Sequence, residues 1–118
     1  MAENTDGTGV LIDLPRLRLR FDDDQELLDE IFRVFLEEAP GRRTGITEAR
    51  EAGDMPRLTR LAHSLKGVAA TILAEPLRQA AYALEKAARA EDAARTAPLA
   101  GEVLDLLGRT AAAIEQRA

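Results

Sequence analysis

From Gln25 to Ile114 the apolar residues recur three or four positions apart, and only short breaks separate one such run from the next. That period puts them on one side of an α-helix, and nowhere does the alternation of a half-buried strand replace it. Each stripe must therefore be buried against another helix. After Asp24, Leu27, Leu28, Ile31, Val34 and Phe35, with Phe32 at the margin, form a face broad enough for more than one neighbour. Pro40-Gly41 interrupts it, and Ile46 and Ala49 face inward beyond, so Gln25–Ala52 reads as one bent helix or two nearly collinear ones. Gly53 suits a left-handed helix end, and Asp54 caps the next helix with Pro56 at its second position. That helix carries Leu58, Leu61, Leu65, Val68, Ala69 and Ile72 as its stripe and ends near Leu73. Glu75-Pro76 opens another, with Leu77, Ala80, Ala81, Leu84 and Ala88 inward. After a short connection at residues 90–92, the last helix carries Leu99, Val103, Leu106, Leu107, Thr110 and Ile114; Pro98 leaves its cap open between Asp92 and Thr96. Upstream, Asp13 caps a short helix with Leu14, Leu17 and Phe21 on one side, and Asp22-Asp23-Asp24 forms a turn. The expectation is an all-α fold: an antiparallel up-down four-helix bundle with a short extra N-terminal helix over residues 11–118, behind a disordered lead of residues 1–10.

Composition removes several classes of function. The 118 residues are one domain's worth of chain, enough to bury a core without staples. With no cysteine there is neither a disulfide nor a thiolate metal site. A net charge of −5 argues against a nucleic-acid partner. No apolar run reaches membrane-spanning length, and the first residues lack the pattern of a signal peptide. The expected setting is cytoplasmic, and the charged outer faces suggest a monomer.

The one histidine then stands out. With His63 at 0° on a helical wheel, the apolar stripe of its helix falls between roughly 140° and 240°. The imidazole is thus on the solvent side, beside Lys66 at i+3, Gly67 at i+4 and Ala70 at i+7. Ser64 lies about 100° round the helix and cannot be its hydrogen-bonded partner in a triad. One histidine with scattered carboxylates is a poor set of metal ligands, so no metal site is expected. Histidine as a nucleophile remains, since a neutral imidazole can attack phosphorus near neutral pH. Lys66 places positive charge beside a phosphoryl group there. Gly67, which costs a helix about 0.5–1 kcal/mol relative to alanine, leaves room for a second protein.

The run Ala62-His63-Ser64-Leu65-Lys66-Gly67, continued by Val68-Ala69-Ala70-Thr71, resembles the motif of histidine-containing phosphotransfer (HPt) domains. Phe21 with Asp24-Gln25-Glu26-Leu27-Leu28 resembles the start of that family's second helix. Phe35-Leu36-Glu37-Glu38-Ala39-Pro40 and Ala52-Gly53-Asp54 match its punctuation, and Leu77 with Leu84-Glu85-Lys86-Ala87-Ala88-Arg89 resembles the helix beside the active one. The likeness runs over residues 14–114. It implies that His63 accepts a phosphoryl group from the aspartyl phosphate of a response-regulator receiver domain and passes it to another receiver. It further implies that Lys66 neutralises phosphoryl oxygens and Gly67 admits the receiver. Glu85, where relatives carry a polar residue and often Gln, would orient the imidazole, and Arg89 would help hold phosphate. A hybrid sensor histidine kinase is the implied upstream partner. No cofactor is expected on this chain, Mg²⁺ belonging to the receiver. Without a Gly-rich nucleotide loop the chain would be a covalent carrier and not an enzyme with its own nucleotide site.

One position departs from the pattern: Leu73 stands where relatives usually have glycine. If that place requires a positive φ, leucine is strained there; a different local turn, or a helix end at Ala74, avoids the strain. Two other readings follow from the same residues. One is a helical adaptor that binds a receiver or kinase without carrying phosphate, with Leu73 as its support. The other is the phosphoacceptor domain of a chemotaxis-type kinase, against which the chain's own Met1 and short lead count mildly.

Overall fold

The computed structural model describes residues 10–117; the expected lead, but for Val10, lies outside them. The described chain is helical, with no strand: α1 (Leu14–Arg20), α2 (Gln25–Ala52), α3 (Met55–Thr71), α4 (Glu75–Arg89) and α5 (Ala93–Gln116). The four long helices close a ring, α2 against α3 and α5, and α4 against α3 and α5. None of them is long and apolar enough to cross a membrane.

Local chemistry sets the boundaries. Asp13, Asp24, Asp54 and Asp92 each accept a hydrogen bond from the backbone N–H three residues on, capping α1, α2, α3 and α5. The start of α5 is thus at Asp92, and Pro98 lies inside the helix. Pro40 likewise does not break α2. Proline's missing N–H leaves the Leu36 carbonyl without its ladder bond, but Pro40 is on the solvent side, where water can take that place.

Helix ends reuse one turn. At Gly53, Leu73 and Glu91 the backbone enters the left-handed region, with φ of 65°, 54° and 55°. The next residue's N–H then bonds back five positions: Asp54 to Ala49, Ala74 to Ala69 and Asp92 to Ala87, at 2.9, 2.8 and 3.0 Å. Leu73 therefore keeps the positive φ that glycine would favour; neither a different turn nor a later helix end replaces it. Its side chain packs, half-buried, against the core. α1 braces the same turn, because Arg20 donates to the Ala70 and Thr71 carbonyls at 3.1 and 3.3 Å.

The core contains Leu28, Phe32, Ile46, Leu58, Leu65, Leu77, Leu84, Val103, Leu107 and Ile114. The expected stripe of α4 is wholly buried. That of α2 is rotated: Phe32 and Ala39 are buried with Leu28 and Phe35, whereas Leu27 and Val34 are exposed. On α3, Ala62 is fully buried, and Leu61 and Val68 only partly so. Size weighting misleads at Ala39 and at Ala62. A small alanine fits the close approach of two helices, and a larger residue covers the edge of the seam.

Candidate functional site

The site lies on the seam between α3 and α4, whose mutual contact is the most extensive between any two helices. Fully buried alanines line that region, Ala62 and Ala69 on α3 with Ala81 on α4. Small side chains let the two helices approach, so that short polar side chains reach across.

His63 projects from the outer side of α3, its side chain 66% exposed. Its Nδ1 is 2.8 Å from Glu85 Oε2 on α4. Glu85 is 2% exposed, covered by the groups it binds. Arg89, one turn further along α4, donates to the same Oε2 at 2.8 Å, and Lys66 Nζ stands 2.8 Å from Oε1. Burial pushes the Glu85 carboxyl pKa up, but the Lys66 ammonium and the hydrogen bonds from His63 and Arg89 outweigh it and bring the pKa down to about 2. Glu85 is therefore an anion with only acceptors to offer, and Nδ1 of His63 must carry the proton of their shared bond. In the neutral form of this exposed ring, Nε2 is then left with a free lone pair.

Four of the five residues singled out in the sequence thus converge: His63, Lys66, Glu85 and Arg89. Gly67 makes no contact in this cluster. A Cβ built there meets nothing within 4 Å, so the glycine answers no crowding inside the molecule. Lys66 is not a freely solvated cation. Its side chain is 26% exposed, held by Glu85 and lying 5.0 Å over the ring of Tyr82. Tyr82 is 45% exposed and also has Lys86 Nζ 5.0 Å from its centroid. On the other flank Arg42 of α2 donates to Ser64 Oγ at 3.1 Å. No sequence signal announces that contact, since it depends on the register of α2 against α3. Among the described residues no three His, Asp or Glu side chains are grouped to hold a metal ion.

An exposed imidazole with one nitrogen proton-bonded to a buried carboxylate and the other free is a nucleophile with a cation beside it. The family model of the Hpt domain matches residues 30–116. The chain belongs to the Hpt domain family. Hpt domains carry out histidine phosphotransfer in phosphorelay signalling and interact with receiver domains and kinases. The fold of this Hpt domain is shared with the crystal structure of histidine-containing phosphotransfer protein B (HptB) from Pseudomonas aeruginosa PAO1. The likeness has a TM-score of 0.81 and 22% sequence identity over 90% of this chain and 92% of that one. No curated protein matches the sequence significantly.

Proposed function

We propose that this Hpt domain carries a phosphoryl group on Nε2 of His63 between the aspartates of two response-regulator receiver domains, the first served by a hybrid sensor histidine kinase. The observation that carries the reading is the 2.8 Å bond between His63 Nδ1 and the buried Glu85 carboxylate. In the forward step the Nε2 lone pair attacks the phosphorus of an aspartyl phosphate. The P–N bond forms as the P–O bond to the receiver breaks, and the receiver aspartate leaves as a free carboxylate. Nδ1 keeps its proton throughout, and the positive charge the ring acquires is met by Glu85. Lys66 and Arg89, already gathered at the carboxylate, supply positive charge to the phosphoryl oxygens. The reverse step returns the group to the second receiver.

The carrier has no cofactor of its own in this reading; Mg²⁺ stays on the receiver, and the chain acts in the cytoplasm as a monomer. The receiver seats over Gly67. Support comes from the open space there and from an adjoining apolar groove of about 260 Å³ between α2 and α3, lined by Ile31, Val34, Val68 and Thr71. The four long helices are taken as an antiparallel up-down bundle. Contacts that rise along α2 while they fall along its neighbours support this: Arg42 to Ser64 and Arg57 to Glu48, then Arg43 to Leu104 and Arg50 to Ala97.

The test is incubation with receiver domains labelled at their aspartate, comparing the native chain with His63→Gln. The native chain should take up acid-labile, base-stable label and the variant none. Equal label on both would overturn the reading.

A further inference from the structure

Tyr82 has no place in the transfer as described, yet its ring holds one of the cations that does. Lys66 Nζ lies 5.0 Å from the ring centroid and 2.8 Å from Glu85 Oε1. The second contact is an ion pair without hydrogen-bond alignment, and Oε1 has no hydrogen-bond donor among the described residues. Charge alone draws the ammonium toward Glu85, leaving its direction open, because a Coulomb contact is nearly isotropic. The lysine stem has four rotatable bonds and would otherwise sample several positions. A ring face beside the ammonium removes part of that freedom, since a cation prefers the negative face of an aromatic ring. Tyr82 is 45% exposed and stands one turn before Glu85 on α4, so it flanks the ammonium without belonging to the core.

We infer that Tyr82 is a positioning residue for phosphotransfer, holding the Lys66 ammonium beside His63 by its ring face. This rests on the reading of His63 as phosphoacceptor, but its first readout does not. The ring, not the phenol hydroxyl, does the holding, so Tyr82→Phe keeps the effect and Tyr82→Leu loses it. Lys86, on the same helix and at the same distance from the ring, is not among the partners of the Glu85 carboxylate and is a bystander to the effect.

The experiment has two arms. In the unphosphorylated full chain, the Lys66 Hε protons should be shifted upfield by the ring current of Tyr82 in NMR spectra. The shift should persist in Tyr82→Phe and Lys86→Ala and vanish in Tyr82→Leu. In the second arm, phosphotransfer from a labelled receiver should slow about 2- to 5-fold in Tyr82→Leu, the scale of an exposed cation–π contact. It should be unchanged in Tyr82→Phe. Tyr82→Leu should slow transfer no further when Lys66 is already alanine. An equal slowing in the Lys66→Ala background, or an unshifted Lys66 in the native chain, overturns the inference. Label on His63→Gln overturns instead the reading on which the second arm rests, and leaves the NMR result standing.

Discussion

At the scale of single residues, Glu85 decides what His63 is. Its carboxyl pKa is about 2, below the ordinary value of 4.5, so its bonds to His63, Lys66 and Arg89 favour the folded chain fully above about pH 4.5. That contribution is lost as pH falls from there toward 2. Glu85→Gln removes it, and acid unfolding followed by circular dichroism should show a shallower loss of stability over that window. Some slope should remain in the variant, because Glu75, paired with Arg78, is also held down to about 2. At Gly67 the expectation is the opposite kind: Gly67→Gln should leave the melting temperature within a few degrees of native and block transfer from a receiver. Unfolding of that variant would instead mark the glycine as a structural necessity. His63, Lys66 and Gly67 were legible because they are neighbours on one helix, where spacing translates directly into direction. The bond from His63 to Glu85 was not, since it joins residues on two helices and depends on how one lies along the other. Family resemblance pointed to Glu85, but its burial under three partners comes from the close approach that the buried alanines allow.

At the scale of the elements, the connections explain why helix boundaries could be read so closely. Three of the breaks are the same device, a left-handed residue followed at once by the next helix's cap residue, and aspartate fills that cap in two of them. Only one of the three left-handed positions is glycine. The other two differ in what their side chains do, which separates their expected responses. Glu91 is exposed, so Glu91→Gly should raise stability by about 0.5–1 kcal/mol in urea unfolding, relieving backbone strain with no loss of contacts. Leu73 is half-buried against the core, and its contacts offset the strain. There Leu73→Ala should be more destabilising than Leu73→Gly, although glycine removes one carbon more, because alanine keeps the strain and loses the contacts. The reverse order would mean that the left-handed turn at Leu73 is not strained. Pro40 left two readings of α2 open, one bent helix or two nearly collinear ones, and the continuous helix is the first of them. A proline in mid-sequence reads as a break, but on the solvent side of a 28-residue helix held on both flanks by neighbours, one missing ladder bond does not end it.

At the scale of the whole molecule, the helices depend on one another as a closed ring, and α3 has a neighbour on either side. Leu65 is fully buried on the inner side of α3, two residues from His63. Leu65→Ala should cost about 2–5 kcal/mol in denaturant unfolding, far more than any change on the outer side of the same turn. The all-helical class, and which helices would exist, were legible because every stripe has the same period. The rotation of α2 was not, because Leu27 and Val34 are as apolar as Leu28 and Phe32 and only the partner helices choose between them. That choice leaves apolar side chains facing outward beside the groove on the α3 flank.

The contact between His63 and Glu85 also works as a vernier. A helix advances about 5.4 Å per turn, so sliding α3 along α4 by a single turn would carry a 2.8 Å bond out of hydrogen-bonding range. The bond that orients the imidazole is therefore a direct gauge of how two backbones are seated. Substitutions among the small residues of that seam, Ala62 above all, can pull the imidazole away from Glu85 while the bundle stays assembled.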